Sequence, residues 1–299
     1  MSRAANASEE RRISQHRLTS DSLAITVNSA GAQLSSLRHR DYGELLWQAE
    51  PIWPQHAPNL FPIVGELPGN TLLHDGKRYP LGRHGFARER EFAWQEQRES
   101  SCTLALEDDA ETRKRYPFAF RFEIRYAVTG STLAVHFSVK NPGPETLPAS
   151  VGAHPAFRWP LVFGVEKDVH TLEFSKAEPM PVRRLQEGLL ELRNYETPIQ
   201  GRTLHLRESL FFADALILTE LASNAVRYTA PSAPAIEVSW DGFRELGLWS
   251  KKGAAFLCIE PWHGYASPVG FAGDFETKPG LLHIPADRTR TLTMRIRVV

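Results

Sequence analysis

The chain has 299 residues, of which 42% are hydrophobic and 23% are charged, a composition typical of a globular protein with a substantial core. Lysine plus arginine and aspartate plus glutamate both number 35, and this balance argues against a binder of nucleic acid or of anionic membranes. No apolar stretch approaches the roughly 18 residues that a membrane-spanning helix needs.

The N-terminal segment lacks the apolar core of a secretory signal. Residues 1–18 are therefore expected to form a flexible tail, and residues 19–299 a single domain. The two cysteines, Cys102 and Cys258, are too few for a disulfide framework, which favours a cytoplasmic protein. Cys258 lies in an apolar run and is expected to be an inert core residue.

Alternation of apolar and polar residues dominates the chain and predicts β-strands with one buried face. The longest alternating runs lie at 118–128, 133–139 and 292–298. Shorter strands are predicted at 23–27, 45–48, 103–106, 216–220, 236–240 and 245–249. Because turn residues separate these runs and only 109–115 indicates a helical turn or two, an all-β sandwich or barrel is favoured.

The first candidate for a binding site is the segment His84-Gly-Phe-Ala-Arg88. In an extended segment His84, Phe86 and Arg88 share one face, and the following glycine lets another group approach the backbone closely. Together they would offer a donor, an aromatic surface and a cation, a combination that binds sugars. Alternatively, Phe86 belongs to the core and Arg88 pairs with a carboxylate such as Glu89 or Glu91.

Two positions further along the chain are candidates for proton transfer. His154 precedes Pro155, which biases it towards extended geometry. Glu260 ends the apolar run 254–259, where a carboxylate is costly unless it is paired or functional. Partial burial against Trp262 would raise its pKa and suit it to act as a general base. The alternatives are a turn histidine, and a buried glutamate satisfied by an arginine or by backbone donors.

Asp214 interrupts another apolar strand, and the same burial argument applies to it more weakly because aspartate also begins strands after turns. Five short motifs then occur along the chain in this order: Asn59-Leu-Phe-Pro-Ile-Val-Gly65, His84-Gly-Phe-Ala-Arg88, His154-Pro-Ala-Phe157, Asp214-Ala-Leu216 and Ile259-Glu-Pro-Trp262. Their order resembles the aldose 1-epimerase (galactose mutarotase-like) family, and most closely its bacterial branch, from about residue 20 to the C-terminus.

This resemblance implies a large antiparallel β-sandwich that binds a sugar and interconverts its α and β anomers without a metal or organic cofactor. It implies that Glu260 is the general base for the anomeric hydroxyl and that His154 is the general acid for the ring oxygen. The residues predicted to bind the sugar are His84, Arg88, Asp214, Asn59, Phe86 and Trp262. A carboxylate and an imidazole suit such chemistry near neutral pH.

One position departs from the family pattern. Many relatives carry an arginine directly after Val-Gly, where this chain has Glu66. Arg88, Lys77 and Arg83 are candidates to replace that cation. Related hexose-6-phosphate mutarotases share the His-Gly-Phe-Ala-Arg string, so a phosphosugar stays an alternative, but Glu66 would repel a dianion and favours a neutral aldose.

Two other functions remain open on the sequence. One is a non-catalytic carbohydrate-binding domain on the same fold. The other is a metal enzyme that uses His84, His154 and Glu260 as a two-histidine, one-carboxylate site. The expected partner is a small sugar, with no nucleic acid and no membrane, and the expected assembly is a monomer or a homodimer.

Overall fold

The computed structural model describes residues 14–299, and nearly all of their regular structure is β-strand. The first strands are β1 Gln15–Thr19, β2 Leu23–Asn28, β3 Leu34–His39, β4 Gly43–Glu44, β5 Asn59–Leu60, β6 Thr71–His74, β7 Lys77–Pro80, β8 Ala93–Gln97, β9 Ser101–Glu107, β10 Arg121–Thr129, β11 Thr132–Lys140, β12 Leu147–Ala149 and β13 Val151–Ala153. The remaining strands are β14 Ala156–Arg158, β15 Thr171–Phe174, β16 Leu185–Gln186, β17 Leu189–Leu190, β18 Thr203–His205, β19 Leu216–Leu218, β20 Ala225–Thr229, β21 Ile236–Asp241, β22 Glu245–Trp249, β23 Phe256–His263, β24 Leu282–Ile284 and β25 Thr289–Val298.

The largest sheet has nine strands in the order β18-β15-β20-β21-β25-β11-β10-β9-β8, all paired antiparallel. The long alternating runs of the sequence form its centre as β10, β11 and β25. In β10 every second side chain is buried, from Phe122 to Val128, and the intervening residues are partly or fully exposed. The period of two thus places one face of this sheet on the core.

A six-stranded sheet has the order β19-β22-β23-β13-β5, and β14 also pairs with β23. All residues of β23 are buried, so both of its faces are covered. Leu257 and Ile259 join the main hydrophobic core that the nine-stranded sheet also contributes to. Phe256 and Cys258 pack in a smaller cluster, and Glu260 shares their face of the strand because side chains alternate.

Four strands, β1 to β4, form a further antiparallel sheet, and three two-stranded sheets complete the fold: β12 with β24, β16 with β17, and β6 with β7. Core residues from the nine-stranded and the six-stranded sheets belong to one hydrophobic cluster. The predicted all-β antiparallel sandwich is therefore confirmed. No helix within residues 14–299 is long and apolar enough to cross a membrane.

Three boundaries differ from the sequence predictions. The predicted tail 1–18 overlaps β1, which begins at Gln15, while residues 1–13 lie outside the described part of the chain. The strand predicted at 45–48 is reduced to a single bridge between Leu46 and Phe157. The predicted helical turn is α1, Ala110–Arg113, which Asp109 caps by accepting hydrogen bonds from two backbone N–H groups.

Asn59 is a core residue and does not line the cavity, contrary to the prediction that it binds sugar. Its side chain is 3% exposed. The amide Nδ2 lies 3.0 Å from the Gly31 carbonyl oxygen, 2.9 Å from that of Ala32 and 3.3 Å from the Tyr126 hydroxyl. Asn59 therefore ties β5 to the turn that follows β2, since buried carbonyls need donors.

We expect Asn59→Ala to lower the free energy of unfolding by about 1–3 kcal/mol, because two buried carbonyl groups lose a donor. Urea denaturation would measure this change, with the exposed Asn194→Ala as the matched control. An unchanged urea midpoint in Asn59→Ala would contradict the structural role.

Candidate active site

A cavity of about 170 Å³ opens beside the six-stranded sheet. This volume is many times what a single water needs, so the cavity suits one small polar molecule. Its polar lining residues are Arg83, His84, Arg88, His154, Asp214 and Glu260, and its larger apolar lining residues are Trp53, Val64, Leu185, Ile217, Trp249 and Trp262. Six of the eight site residues predicted from the sequence line this cavity, and the two exceptions are Asn59 and Phe86.

Glu260 and His154 are brought together by strand register. The strands β13 and β14 pair with β23 in the same register, so the intervening His154 lies opposite Glu260. The His154 Nε2 atom is 3.1 Å from the Glu260 Oε2 atom. This oxygen nevertheless makes no hydrogen bond of good geometry within the protein. A buried carboxylate oxygen without a partner is unfavourable, and it is available to a ligand.

Burial sets the protonation of both side chains. Burial raises the pKa of Glu260 well above its ordinary value, and the negative charge of Asp214 raises it further. Burial lowers the pKa of His154 to about 3, with Arg88 and Arg83 acting in the same direction. Burial disfavours both the Glu260 carboxylate and the His154 imidazolium, so the two side chains together hold one proton at neutral pH. That proton converts a neutral acid and imidazole into a carboxylate and imidazolium when it moves between them.

Aromatic rings surround the His154 imidazole. Trp53 stacks on it with ring centroids 5.3 Å apart at 25°, and Trp249 meets it edge-on at 5.9 Å and 80°. The His84 ring lies perpendicular to it at 5.9 Å. These rings fix the orientation of the imidazole and exclude water from it, which accounts for its lowered pKa.

The His84 ring is held in one tautomer by the backbone of Gly65. The Gly65 N–H donates to His84 Nδ1 at 3.1 Å, and the backbone N–H of His84 donates to the Gly65 carbonyl at 2.8 Å. Since Nδ1 accepts, the neutral ring carries its proton on Nε2. Burial, followed by the neighbouring His154, lowers the pKa of His84 well below its ordinary value. His84 is therefore a neutral hydrogen-bond donor at the cavity.

The prediction that residues 84, 86 and 88 share an extended face is wrong. His84 and Gly85 both adopt left-handed backbone angles, with φ of 65° and 71°, and a short 3₁₀ turn follows at Ala87–Glu89. A side chain at Gly85 would lie 2.3 Å from the Phe61 carbonyl oxygen, so only glycine allows this close approach. The bend directs Phe86, which is fully buried, into the core instead of towards a sugar.

Arg88 lies at the cavity without a carboxylate partner among residues 14–299. Its Nη2 atom donates to the Arg83 carbonyl at 3.0 Å. The expected alternative of an ion pair with Glu89 is absent, because Glu89 binds Arg115 instead. Burial lowers the pKa of Arg88, but a guanidinium remains charged at neutral pH.

Arg83, not Arg88, contacts Glu66. The Arg83 Nε atom is 3.1 Å from Glu66 Oε1, and its Nη2 atom is 3.6 Å from Asp214 Oδ2. Arg83 thus bridges two carboxylates at the cavity mouth, while Lys77 lies at the exposed start of β7 and is not a lining residue. With its side chain 42% exposed, Arg83 gains little stability from these ion pairs and is suited to orient polar groups.

Asp214 and Trp262 line the cavity as predicted. The Asp214 side chain accepts a hydrogen bond from the Ala215 N–H at 2.8 Å, which fixes the carboxylate beside the cavity. The Trp262 indole lies over Gly247, where an added side chain would come within 2.4 Å of the ring. Its Nε1 atom makes no hydrogen bond of good geometry within the protein, so this buried donor is also available to a ligand.

Sequence reasoning missed Trp53 and Trp249. Trp249 ends a strand that was predicted, but nothing in its periodicity indicates which face meets the cavity. Trp53 lies between two prolines in a segment without regular structure, and tertiary contacts alone bring it to His154. The alternative metal site of His84, His154 and Glu260 is not assembled among residues 14–299: the cluster of possible ligands there contains His154, Cys258 and Glu260, without His84.

Comparisons with known proteins find relatives that span most of the chain. The family described as Aldose 1-epimerase matches residues 14–278. The protein LacX of Lactococcus lactis subsp. lactis is 33% identical over 287 residues, covering 91% of this chain and 96% of LacX.

Two solved structures are also similar. A galactose mutarotase related enzyme from Lactobacillus acidophilus has a TM-score of 0.89 and 32% identity, covering 96% of this chain and 97% of its own. A galactose mutarotase-like protein from Lactobacillus casei has a TM-score of 0.88 and 26% identity, and the match covers 96% of this chain and 100% of that protein's chain. The whole described fold is therefore shared with these proteins.

We expect Glu260→Gln to change how stability depends on pH. The raised pKa of Glu260 means that the folded protein keeps a proton that the unfolded chain loses above about pH 4.5, so stability falls as the pH rises through that window. His154 acts oppositely: the unfolded chain gains a proton below 6.5 that the folded protein refuses down to about 3, so stability falls as the pH drops.

Glutamine has no proton to lose, so the decline on the alkaline side should shrink in Glu260→Gln while the acid decline persists. The measurement is the urea midpoint of both proteins from about pH 5 to about pH 9, and the alkaline decline should be smaller in Glu260→Gln. Glu237→Gln, on an exposed ion pair of β21, is the control. Parallel pH curves for wild type and Glu260→Gln would rule out a proton held by Glu260.

Proposed function

The chain belongs to the aldose 1-epimerase family, and from this premise we propose that it interconverts the α and β anomers of a neutral aldose. The observation that carries the proposal is the buried pair of His154 and Glu260, whose closest atoms are 3.1 Å apart at a cavity of about 170 Å³. Ring opening needs a base on one sugar oxygen and an acid on another, and this pair supplies both groups.

The reaction begins from the form in which Glu260 is a carboxylate and His154 is an imidazolium. Glu260 takes the proton of the anomeric hydroxyl while His154 protonates the ring oxygen. The bond between C1 and the ring oxygen breaks, its electron pair stays on that oxygen, and C1 becomes an aldehyde. Rotation about the C1–C2 bond exposes the other carbonyl face, and closure reverses both transfers. The pair holds one proton before and after each half-reaction.

Other cavity residues are assigned to orientation of the sugar. His84 offers its Nε2–H as a neutral donor, because Nδ1 is occupied by the Gly65 N–H. Arg83 and Asp214 form a charged pair that is suited to sugar hydroxyls. Trp249 and Trp262 supply apolar surface against which a sugar ring can pack. Holding the ring against both proton-transfer groups provides the proximity term in catalysis.

The charge around the cavity supports an unphosphorylated sugar. Arg83 is already balanced by Glu66 and Asp214, which leaves Arg88 as the cavity arginine without a carboxylate partner among residues 14–299. A phosphate dianion bound near Arg83 would meet two carboxylates and be repelled. A hexose 6-phosphate is the second candidate, since Arg88 could contact its phosphate.

A carbohydrate-binding domain without catalysis is less well supported. Such a domain needs hydrogen bonds and aromatic surface, but it does not need a base and an acid buried side by side. Burial of both groups costs stability, and catalysis gives a reason for retaining them. We also propose a cytoplasmic location, consistent with two free and buried cysteines.

Replacing either member of the pair should abolish accelerated anomerisation. We expect Glu260→Gln and His154→Gln each to reduce the catalysed exchange rate by about 10²–10⁴-fold, because each removes one proton-transfer group. Exchange spectroscopy by NMR across a panel of aldoses measures the rate. The surface variant Glu237→Gln should retain full activity, and near-normal exchange in Glu260→Gln would refute the assignment of the base.

Glu66→Gln tests whether the Glu66 charge disfavours phosphorylated sugars. Wild type should accelerate anomerisation of free aldoses more than that of their 6-phosphates, and removal of the Glu66 charge should narrow this difference. The ratio of kcat/KM for the two substrate classes is the measurement. A wild-type preference for 6-phosphates that Arg88→Gln eliminates would instead favour the phosphosugar function.

A further inference from the structure

Cys258 lies on the same face of β23 as Glu260, two residues earlier along the strand. It is buried behind the cavity with Phe256 and Trp47. One possible ligand atom from each of His154, Cys258 and Glu260 lies within 4.8 Å of the other two. The sequence indicated an inert core cysteine, but the register that places His154 opposite Glu260 also brings a thiol to the same point.

A second observation is independent of the cysteine. The Glu260 Oε2 atom is buried and has no hydrogen-bond partner of good geometry within the protein, and Glu260 is only 1% exposed. His154 is 8% exposed, and its Nε2 atom lies 3.1 Å from this oxygen. A buried carboxylate oxygen without a partner, an imidazole nitrogen and a thiol therefore lie close together.

We propose that His154, Cys258 and Glu260 form a binding site for a zinc-like divalent cation, and that the bound cation excludes sugar from the proton-transfer pair. Nitrogen, sulfur and carboxylate oxygen together are the donor set that zinc prefers. Three protein ligands leave a fourth tetrahedral position for water. The proposed ion is an inhibitor and not a cofactor, because it occupies both groups that move protons.

The distances allow such a site after small side-chain movements. Ligand atoms on tetrahedral zinc are about 3.2–3.7 Å apart, given bond lengths of roughly 2.0–2.3 Å. The 3.1 Å between His154 Nε2 and Glu260 Oε2 is just below this spacing. The upper limit of 4.8 Å for the cluster means that the remaining atoms move by about 1 Å or slightly more, within the reach of side-chain rotation.

The charges also balance. Binding releases the thiol proton of Cys258 and the proton shared by the pair to solvent, which leaves a thiolate, a carboxylate and a neutral imidazole around the ion. The two negative ligands neutralise a divalent cation. Arg83 and Arg88 would repel it, but Arg83 is itself paired with Glu66 and Asp214.

Cadmium is the direct probe, because a cadmium–thiolate bond gives an ultraviolet charge-transfer band. Titration of the full-length protein with Cd²⁺ should produce this band with one equivalent bound. Cys258→Ser should remove the band and weaken Cd²⁺ binding by at least about tenfold, since even outer-shell changes cost that much. Cys102→Ser is the matched control, because Cys102 is the other free buried cysteine and lies in the main core.

A band that survives in Cys258→Ser, or that disappears in Cys102→Ser, would overturn the proposal, as would the absence of any band in wild type. Cys258→Ala provides a second variant in case serine impairs folding. This spectroscopic result does not depend on the proposed enzymatic function.

Inhibition rests on the proposed function and is tested separately. Zn²⁺ should inhibit anomerisation in competition with sugar, and Cys258→Ser, which should keep normal activity without metal, should need at least about tenfold more Zn²⁺ for the same inhibition. Equal sensitivity to Zn²⁺ in wild type and Cys258→Ser would refute inhibition through this site. If the protein binds Cd²⁺ but never accelerates anomerisation, the proposed enzymatic function is wrong and the cation site still stands.

Discussion

Glu260 and His154 lie side by side where the fold gives neither enough hydrogen-bond partners. Burial disfavours the charged form of each side chain, so the two groups share one proton instead of ionising independently. The arrangement costs stability, because a buried polar atom without a partner loses its hydration. A ligand with hydroxyl and ether oxygens would restore those contacts. In the proposed function, sugar binding and proton transfer both depend on this unfavourable burial.

The backbone around the cavity holds this pair in place. The β13 and β14 strands keep one register against β23, which fixes His154 opposite Glu260. On the other side, the left-handed turn at His84 and Gly85 packs against the Phe61 carbonyl, and Gly65 fixes the His84 tautomer. The direction of the His84 Nε2–H donor is therefore set by a backbone hydrogen bond, which is more rigid than a contact between long side chains.

Much of this could be predicted from the sequence. Period-two alternation identified β10, β11 and β25, and the carboxylate ending an apolar run identified Glu260 as unusual. Phe86 was misplaced because an extended segment was expected, whereas the positive φ angles at His84 and Gly85 reverse the direction of the chain. Asn59 was misplaced because its buried partners come from a distant turn.

Other features depend on tertiary structure and leave no local signal. Trp53 reaches His154 from a proline-bounded segment that has no periodicity. Arg83 was one of three candidate cations, and only its distances to Glu66 and Asp214 separate it from Lys77 and Arg88. The approach of Cys258 to the pair follows from strand register, which a single sequence does not specify at a break such as His154-Pro155.

The central claim is that the pair opens a sugar ring by moving protons between oxygens, and an experiment in D₂O tests it most directly. NMR would follow exchange between the anomers and, in the same samples, the deuterium content at C2. The account predicts accelerated anomer exchange with no deuterium at C2, because no carbon–hydrogen bond breaks. Deuterium at C2, or the absence of any acceleration across the aldose panel, would contradict it.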